Sequence, residues 1–355
     1  MKIALIHYRL ILRGGLERRL VNYAEYLQAQ GHEVHVIVAK RSPEAQLHPG
    51  VHIHTLSPGL VPKVFRQRYF DYLLGRFMQK NSFDLSLSLM RTSHQDMVLC
   101  PANHLGFLQA EGRGPRSLSD REQIRSDRMA FEHSQLILAA SQMMKTELTE
   151  LFHISEEKIR VLPPPVNTSV FRPELKVRKA EFRKKYGISP DKRVYVFVSS
   201  SHKRKGLPLL LDLFAQLQDQ PVELVIAGMP AVETSLPNVK DLQFSTQMEE
   251  LYAAADFTIH PSYYEPFGQI VSESLCCGTP VLISDRVGAR ECITPQEGLV
   301  LPYQDVSRWK EAILHQKPED FAPDPHYAAR NHLSVSDHVE QILAFARHLK
   351  GAKSF

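Results

Sequence analysis

The chain has 355 residues, 43% of them apolar and 23% charged, with a formal net charge of +4. That length is enough for two domains with separate cores, while so weak a positive balance gives no case for nucleic acid as a partner and leaves any basic surface local. The four cysteines, Cys100, Cys276, Cys277 and Cys292, show neither CxxC nor Cys/His spacing, which argues against a zinc site of that kind and against a disulfide framework, and points to a reducing compartment.

In chain order, residues 2–7 read as a short, apolar, β-branched strand buried on both faces. His7, Arg9 and Arg13 break the apolar run too early for a signal peptide, and no stretch approaches the roughly 20 apolar residues of a spanning helix. Gly14-Gly15 comes next, then a predicted helix with Leu16, Leu20, Val21, Ala24 and Leu27 at helical spacing and Gly31 at its end. Predicted strands at 32–38, 51–56, 83–89, 96–100, 136–140 and 158–162 continue a strand–helix alternation, the pattern of a parallel sheet covered on both faces. Pro163-Pro164-Pro165 cannot continue a helix or a central strand, so the domain boundary falls there. A second alternation follows, with strands at 193–199, 222–227, 257–260 and 281–284 and helices at 207–217 and 248–254. In the tail, Val335, Val339, Ile342, Leu343, Phe345 and Ala346 share one helical face that needs a partner surface. The expected organisation is a domain at 1–165, a domain at 166–330, and a tail at 331–355 that crosses back onto the first. No internal repeat of solenoid length is present.

Two carboxylates stand out, Glu265 in Tyr263-Tyr264-Glu265-Pro266-Phe267-Gly268 and Glu273 inside a predicted short helix. Backbone N–H groups of Phe267, Gly268 and Gln269 at the start of that helix suit a phosphate, and Gly268 permits close approach. Glu273 is placed to accept hydrogen bonds from a cis-diol such as ribose; an ordinary surface helix with two solvated glutamates would carry the same residue types. The loop Ser199-Ser200-Ser201-His202-Lys203-Arg204-Lys205-Gly206 leaves a strand at the edge where such folds bind ligands, and Arg204 with Lys205 can neutralise a diphosphate. It is not a P-loop, since GxxxxGK[ST] is absent. Arg13-Gly14-Gly15-Leu16-Glu17-Arg18 lacks GxGxxG, yet its two glycines can bring backbone amides to a phosphate or sugar. His104 follows a first-domain strand, a position suited to orienting a hydroxyl. Two basic segments, 63–80 and 113–128, interleave arginine and lysine with aromatic and aliphatic residues, a composition that fits adsorption to an anionic membrane surface or one solvated helix face.

Together these stretches resemble the retaining glycosyltransferases of family 4. The resemblance rests on Glu265-Pro-Phe-Gly with Glu273, Gly14-Gly15, the 163–173 hinge, Lys205-Gly206, Leu251-Tyr252-Ala253-Ala254-Ala255-Asp256 and Cys277-Gly278-Thr279-Pro280-Val281. Gly14-Gly15-Leu16-x-Arg18, Arg204-Lys205-Gly206 and Ala130-Phe131-Glu132 are similar to the lipopolysaccharide core glucosyltransferases within that family. The chain departs from the common pattern where Ser199-Ser200 replaces Gly-Arg and where Phe244-Ser245-Thr246 lacks a glycine.

The resemblance implies an α/β GT-B fold, two Rossmann-like doubly wound parallel-sheet domains facing a cleft, with the acceptor on the first domain and the nucleotide sugar on the second. It implies that Glu273 holds the ribose, Lys205 and Arg204 the diphosphate, Glu265 the hydroxyls of the transferred sugar, and Gly14-Gly15 the donor, with His104 as the first-domain active-site histidine. A UDP-sugar donor, a lipid-linked oligosaccharide acceptor such as lipopolysaccharide core, an anionic inner-membrane surface, no metal and no resident cofactor are the accompanying expectations, and the location is the cytoplasmic face of the membrane. The open alternatives are a GT-B epimerase, which needs no acceptor, and a non-catalytic sugar-nucleotide-binding scaffold.

Overall fold

The structure, a computed structural model, describes residues 1–11, 14–243 and 245–351; Arg13 and Phe244, named above, lie outside the described residues. The chain forms two compact units, one from Met1–Pro165 with the chain from Val335 onward, the other Val166–Ser334.

The first unit is built on strands β1 (Lys2–Leu10), β2 (Glu33–Arg41), β3 (Val51–Thr55), β4 (Leu85–Ser88), β5 (Met97–Cys100), β6 (Leu136–Ala139) and β7 (Ile159–Val161). They lie in the order β3-β2-β1-β4-β5-β6-β7, every pair parallel. β1 runs three residues further than the apolar stretch suggested, because Arg9 and Leu10 keep pairing with Lys40 and Arg41. The tail helix Val335–Gly351 buries Val339, Ile342, Leu343 and Ala346 in the same core as Leu20, Tyr23, Ala24 and Leu27 of helix Gly15–Ala29. It begins later than the 331 expected: Leu333 is buried in the second unit, where its carbonyl accepts the Val166 N–H at 2.8 Å. Within the first core, His338 sits fully buried against the Tyr23 ring at 5.5 Å between centroids. Its Nδ1 bonds the Pro163 carbonyl at 3.0 Å, and burial, then the Arg19 charge, pushes its pKa down to about 3.

The second unit carries β8 (Arg193–Ser199), β9 (Val222–Gly228), β10 (Val239–Asp241), β11 (Phe257–His260), β12 (Val281–Ser284) and β13 (Gly298–Leu301). Their order is β10-β9-β8-β11-β12-β13, again all parallel. The strand order reverses between β8 and β11, and such a switch point is where open parallel sheets leave a crevice above the strand ends. Sequence periodicity missed β10 and β13, which are short edge strands, as well as helices Gln142–Phe152, Lys179–Tyr186 and Val306–His315.

Candidate functional site

The two loops that leave β8 and β11 meet over this switch point. Gly206, at φ +90°, ends the turn His202–Lys205 and opens helix Leu207–Ala215. A β-carbon there would lie 2.1 Å from the Pro261 carbonyl oxygen, so only glycine lets the loops come together. The Arg204 carbonyl then accepts the Tyr263 N–H at 3.1 Å and the Ser262 hydroxyl at 2.9 Å. In return, Arg204 Nη1 donates to the Tyr264 carbonyl at 2.6 Å and to Glu265 Oε2 at 3.2 Å. Lys205 Nζ stands 3.8 Å from the same carboxylate oxygen, and His260 Nε2, at the end of β11, 3.4 Å from it.

Glu265 is thereby the centre of a nearly closed charge cluster. Burial opposes its ionisation, but the His260 ring 3.4 Å away and the Lys205 and Arg204 charges outweigh it and bring the carboxyl down to about 2. Lys205 is lowered by burial against the pull of Glu265, and His260 is lowered mainly by burial, so it is held neutral. The main chain of Glu265 is fixed from the other side: its N–H donates to the Arg286 carbonyl at 3.0 Å and its carbonyl accepts the Gly288 N–H at 2.9 Å.

The helix after this loop is Gln269–Cys276, with Gly268 as its cap at φ +94°. Phe267 lies in the loop before the helix, buried, and its carbonyl accepts the Ala289 N–H at 2.7 Å. Glu273, within the helix, receives the Tyr252 hydroxyl at 2.9 Å. Tyr252 is fully buried, and burial with the adjacent Glu273 charge pushes its phenol well above the usual range, so it remains a donor.

The remaining predicted site residues belong to the first unit. Gly14 and Gly15 stand at the entry of helix Gly15–Ala29, and Gly14 is extended at φ −125°; a β-carbon on it would meet the Glu17 carboxylate, the far end of a flexible side chain. His104 opens helix His104–Ala110, whose cap Asn103 accepts the Gly106 N–H at 2.6 Å. Its Nε2 is 2.8 Å from Asp120 Oδ1, and its backbone N–H donates to Asp127 Oδ2 at 2.7 Å. The His104 hydrogen bond and the Arg116 and Ser117 N–H groups hold the Asp120 carboxyl well below the usual range, and Asp127, fully buried, is ion-paired with Arg91.

The structure thus brings Arg204, Lys205, Glu265, Phe267, Gly268, Gln269 and Glu273 into one unit and Gly14, Gly15 and His104 into the other. Sequence reasoning missed His260 and the role of Tyr252. The signal for His260 was a histidine inside the otherwise apolar run Phe257-Thr258-Ile259-His260; Tyr252 is 21 positions from its partner, beyond any local pattern. The two basic segments converge: Gln67, Arg68 and Asp71 line a small cavity together with Arg125, Ser126 and Met129, around Arg91 and Thr92. Helix Arg66–Met78 turns Phe70 and Leu74 inward and leaves Tyr69 and Tyr72 exposed. Among the described residues, no helix is long and apolar enough to cross a membrane.

Residues 13–170 match the family described as Glycosyltransferase Family 4, and residues 178–317 that described as Glycosyl transferases group 1. A probable transglycosylase of Burkholderia thailandensis is 34% identical over 346 residues, covering 94% of this chain and 93% of that protein. Among solved structures, WaaG, a glycosyltransferase involved in lipopolysaccharide biosynthesis, matches with a TM-score of 0.74 at 18% identity, over 93% of this chain and 94% of that one. HepE of Anabaena in complex with UDP and glucose matches with a TM-score of 0.72 at 18% identity, over 97% and 99%. These last two likenesses carry the fold, which is GT-B. The chain belongs to the family 4 glycosyltransferases.

Proposed function

We propose that this protein transfers a hexose, with retention at the anomeric carbon, from a UDP-sugar to a lipid-linked glycan acceptor of the lipopolysaccharide core type, at the cytoplasmic face of a membrane. The observation that carries the proposal is the cluster of Arg204, Lys205 and His260 around an ionised Glu265, with Glu273 on the helix that follows the same loop. Arg204 and Lys205 take the departing diphosphate, Glu265 hydroxyls of the transferred sugar, and Glu273 the ribose. Catalysis of this kind is positioning and electrostatic: fixed cations stabilise charge as the bond to the diphosphate breaks, and the leaving phosphate takes the acceptor's proton on the same face of the sugar. Glu265 is too fully paired to serve as a nucleophile in this arrangement. HepE, seen with UDP and glucose, and WaaG, described as acting in lipopolysaccharide biosynthesis, support the choice of donor and acceptor class.

The experiment supplies UDP-glucose with and without a membrane extract and follows UDP release, glycolipid mass and the anomeric configuration of the product. Lys205→Ala lowers turnover by about 10²–10³-fold, and Glu273→Ala weakens UDP-sugar binding; unchanged binding in the latter removes the ribose assignment. An epimerised or free sugar without acceptor supports the epimerase alternative, and binding without turnover the scaffold. The name of the Burkholderia relative favours one further reading, in which a glycan chain serves as donor; transfer from such a glycan in the absence of any nucleotide sugar distinguishes it. For the membrane, exposed Phe65, Tyr69 and Tyr72 beside the basic residues of 63–80 support docking, and liposome binding that ignores both salt and anionic lipid content overturns it.

A further inference from the structure

Along one edge of the first sheet, β2 and the edge strand β3 present an imidazole-rich face. β2 and β3 pair in parallel with His35 directly beside His52 and Ile37 beside His54. Since alternate residues of a strand share a face, Glu33 and His35 on β2 stand next to His52 and His54 on β3. His35 is buried, and both its ring nitrogens are engaged: Nε2 lies 2.8 Å from Glu33 Oε1 and Nδ1 2.9 Å from His54 Nε2. The His52 ring stacks on His35 at 4.7 Å between centroids, and ligand atoms of Glu33, His35 and His52 all lie within 4.8 Å of one another.

We propose that Glu33, His35 and His52 form a binding site for a late first-row divalent cation, with zinc as its type, and that His54 orients His35 within it. Two imidazoles and a carboxylate are the donor set that zinc, nickel and copper favour over magnesium or calcium. Zinc–ligand bonds of about 2.0–2.1 Å place tetrahedral ligand atoms roughly 3.4 Å apart, so the site has to tighten by an ångström or so. Glu33 and His52 are the exposed members that make this movement, while His35 stays fixed. Balance of protons needs no co-reactant: the cation replaces the hydrogen between His35 Nε2 and Glu33, the His35 proton moves through solvent to Nδ1, His54 shifts its own proton from Nε2 to Nδ1, and the hydrogen bond then runs from His35 Nδ1–H to His54 Nε2. A metal-bound imidazole held by its other nitrogen is the arrangement that fixes tautomer and ring angle. Lys2 Nζ, 3.7 Å from Glu33 Oε1 and over the Phe83 ring, is the group the cation displaces, and an exposed pair of that kind is weak. The site clips the edge strand β3 to β2 and stands apart from the donor chemistry proposed above, so either fails independently of the other.

The full chain, stripped with EDTA and titrated with zinc chloride near pH 7.5 in a calorimeter, binds one equivalent and melts at a higher temperature when loaded. His52→Ala and Glu33→Gln each weaken binding at least tenfold and abolish the rise in melting temperature, and His54→Ala weakens it about 10-fold through the lost orientation of His35. Both His52 and Glu33 are surface residues, so unchanged melting without metal certifies the fold of their variants. Absence of stoichiometric binding, or binding that both His52→Ala and Glu33→Gln leave intact, overturns the proposal.

Discussion

Helix Val335–Gly351 presses a neutral histidine into the core of the first unit, whereas the second unit buries a fully ionised glutamate over its sheet. Both groups pay for desolvation, and their surroundings answer differently. For His338, burial and then the nearby Arg19 charge favour the uncharged ring and outweigh the Pro163 carbonyl at Nδ1, which by itself favours the charged one. Glu265 has two cations and a histidine within 4 Å of one oxygen, enough to keep its charge despite burial. The difference separates a group that glues a helix to a sheet from one that holds binding groups in place: the first excludes charge, the second concentrates it.

The comparison is broken most sharply by acid. His338 has a folded pKa of about 3 against 6.5 for the unperturbed ring, so the unfolded chain binds the extra proton first. Its contribution is complete above pH 6.5 and is lost as the pH falls from there toward 3, a loss on the order of 5 kcal/mol at the low end. The only tryptophan, Trp309, is buried in the second unit, which gives each unit its own reporter. On acidification, amide exchange in 335–349 rises before Trp309 fluorescence changes. His338→Phe, which keeps an aromatic ring on Tyr23, removes the pH dependence between 6.5 and 3; an unchanged slope in that variant refutes the assignment.

For Glu265 the window is lower. A folded pKa of about 2 against the usual 4.5 means stability that is present above pH 4.5 and lost as the pH falls toward 2, on the order of 3 kcal/mol. Urea unfolding followed by Trp309 fluorescence at pH 7 and pH 3 reads it out. Glu265→Gln flattens that pH dependence in the second unit and leaves the His338 window untouched, and a flattening of both windows would mean that the two units do not titrate separately.

How much of this was legible in the sequence follows from the distances involved along the chain. Long apolar strands and the Pro163-Pro164-Pro165 break carry their own signature, because burial on both faces demands uninterrupted β-branched and aliphatic residues. Edge strands such as Val239–Asp241, half exposed and three residues long, carry almost none. In the site, Glu265, Arg204 and Lys205 were visible as residue types at strand ends, but their mutual contact spans 61 positions between Arg204 and Glu265 and depends on Gly206 meeting the Pro261 carbonyl. Asp120 and Asp127 went unnamed for the same reason: what makes them matter is His104, at 16 and 23 positions' remove.

The smallest effect tests whether Glu273, the other glutamate of the site, is arranged on the same plan as Glu265. Glu273 shares the field of Lys205 with Glu265, and its carboxylate takes a hydrogen bond from Tyr252, a phenol buried completely beneath it. If that phenol orients the carboxylate for two hydroxyls of a ribose, Tyr252→Phe removes one bond to a charged group while preserving the ring and its packing. The expected cost is about 1.5–3 kcal/mol shared between stability and binding, appearing as a several-fold rise in the KM for the nucleotide sugar with kcat nearly constant, since the ribose is bound equally before and during bond breaking. A fall in kcat at constant KM would instead place Glu273 among the groups that act only as the sugar leaves, and would make the two glutamates alike in role although one is held by Arg204 and His260 and the other by a phenol.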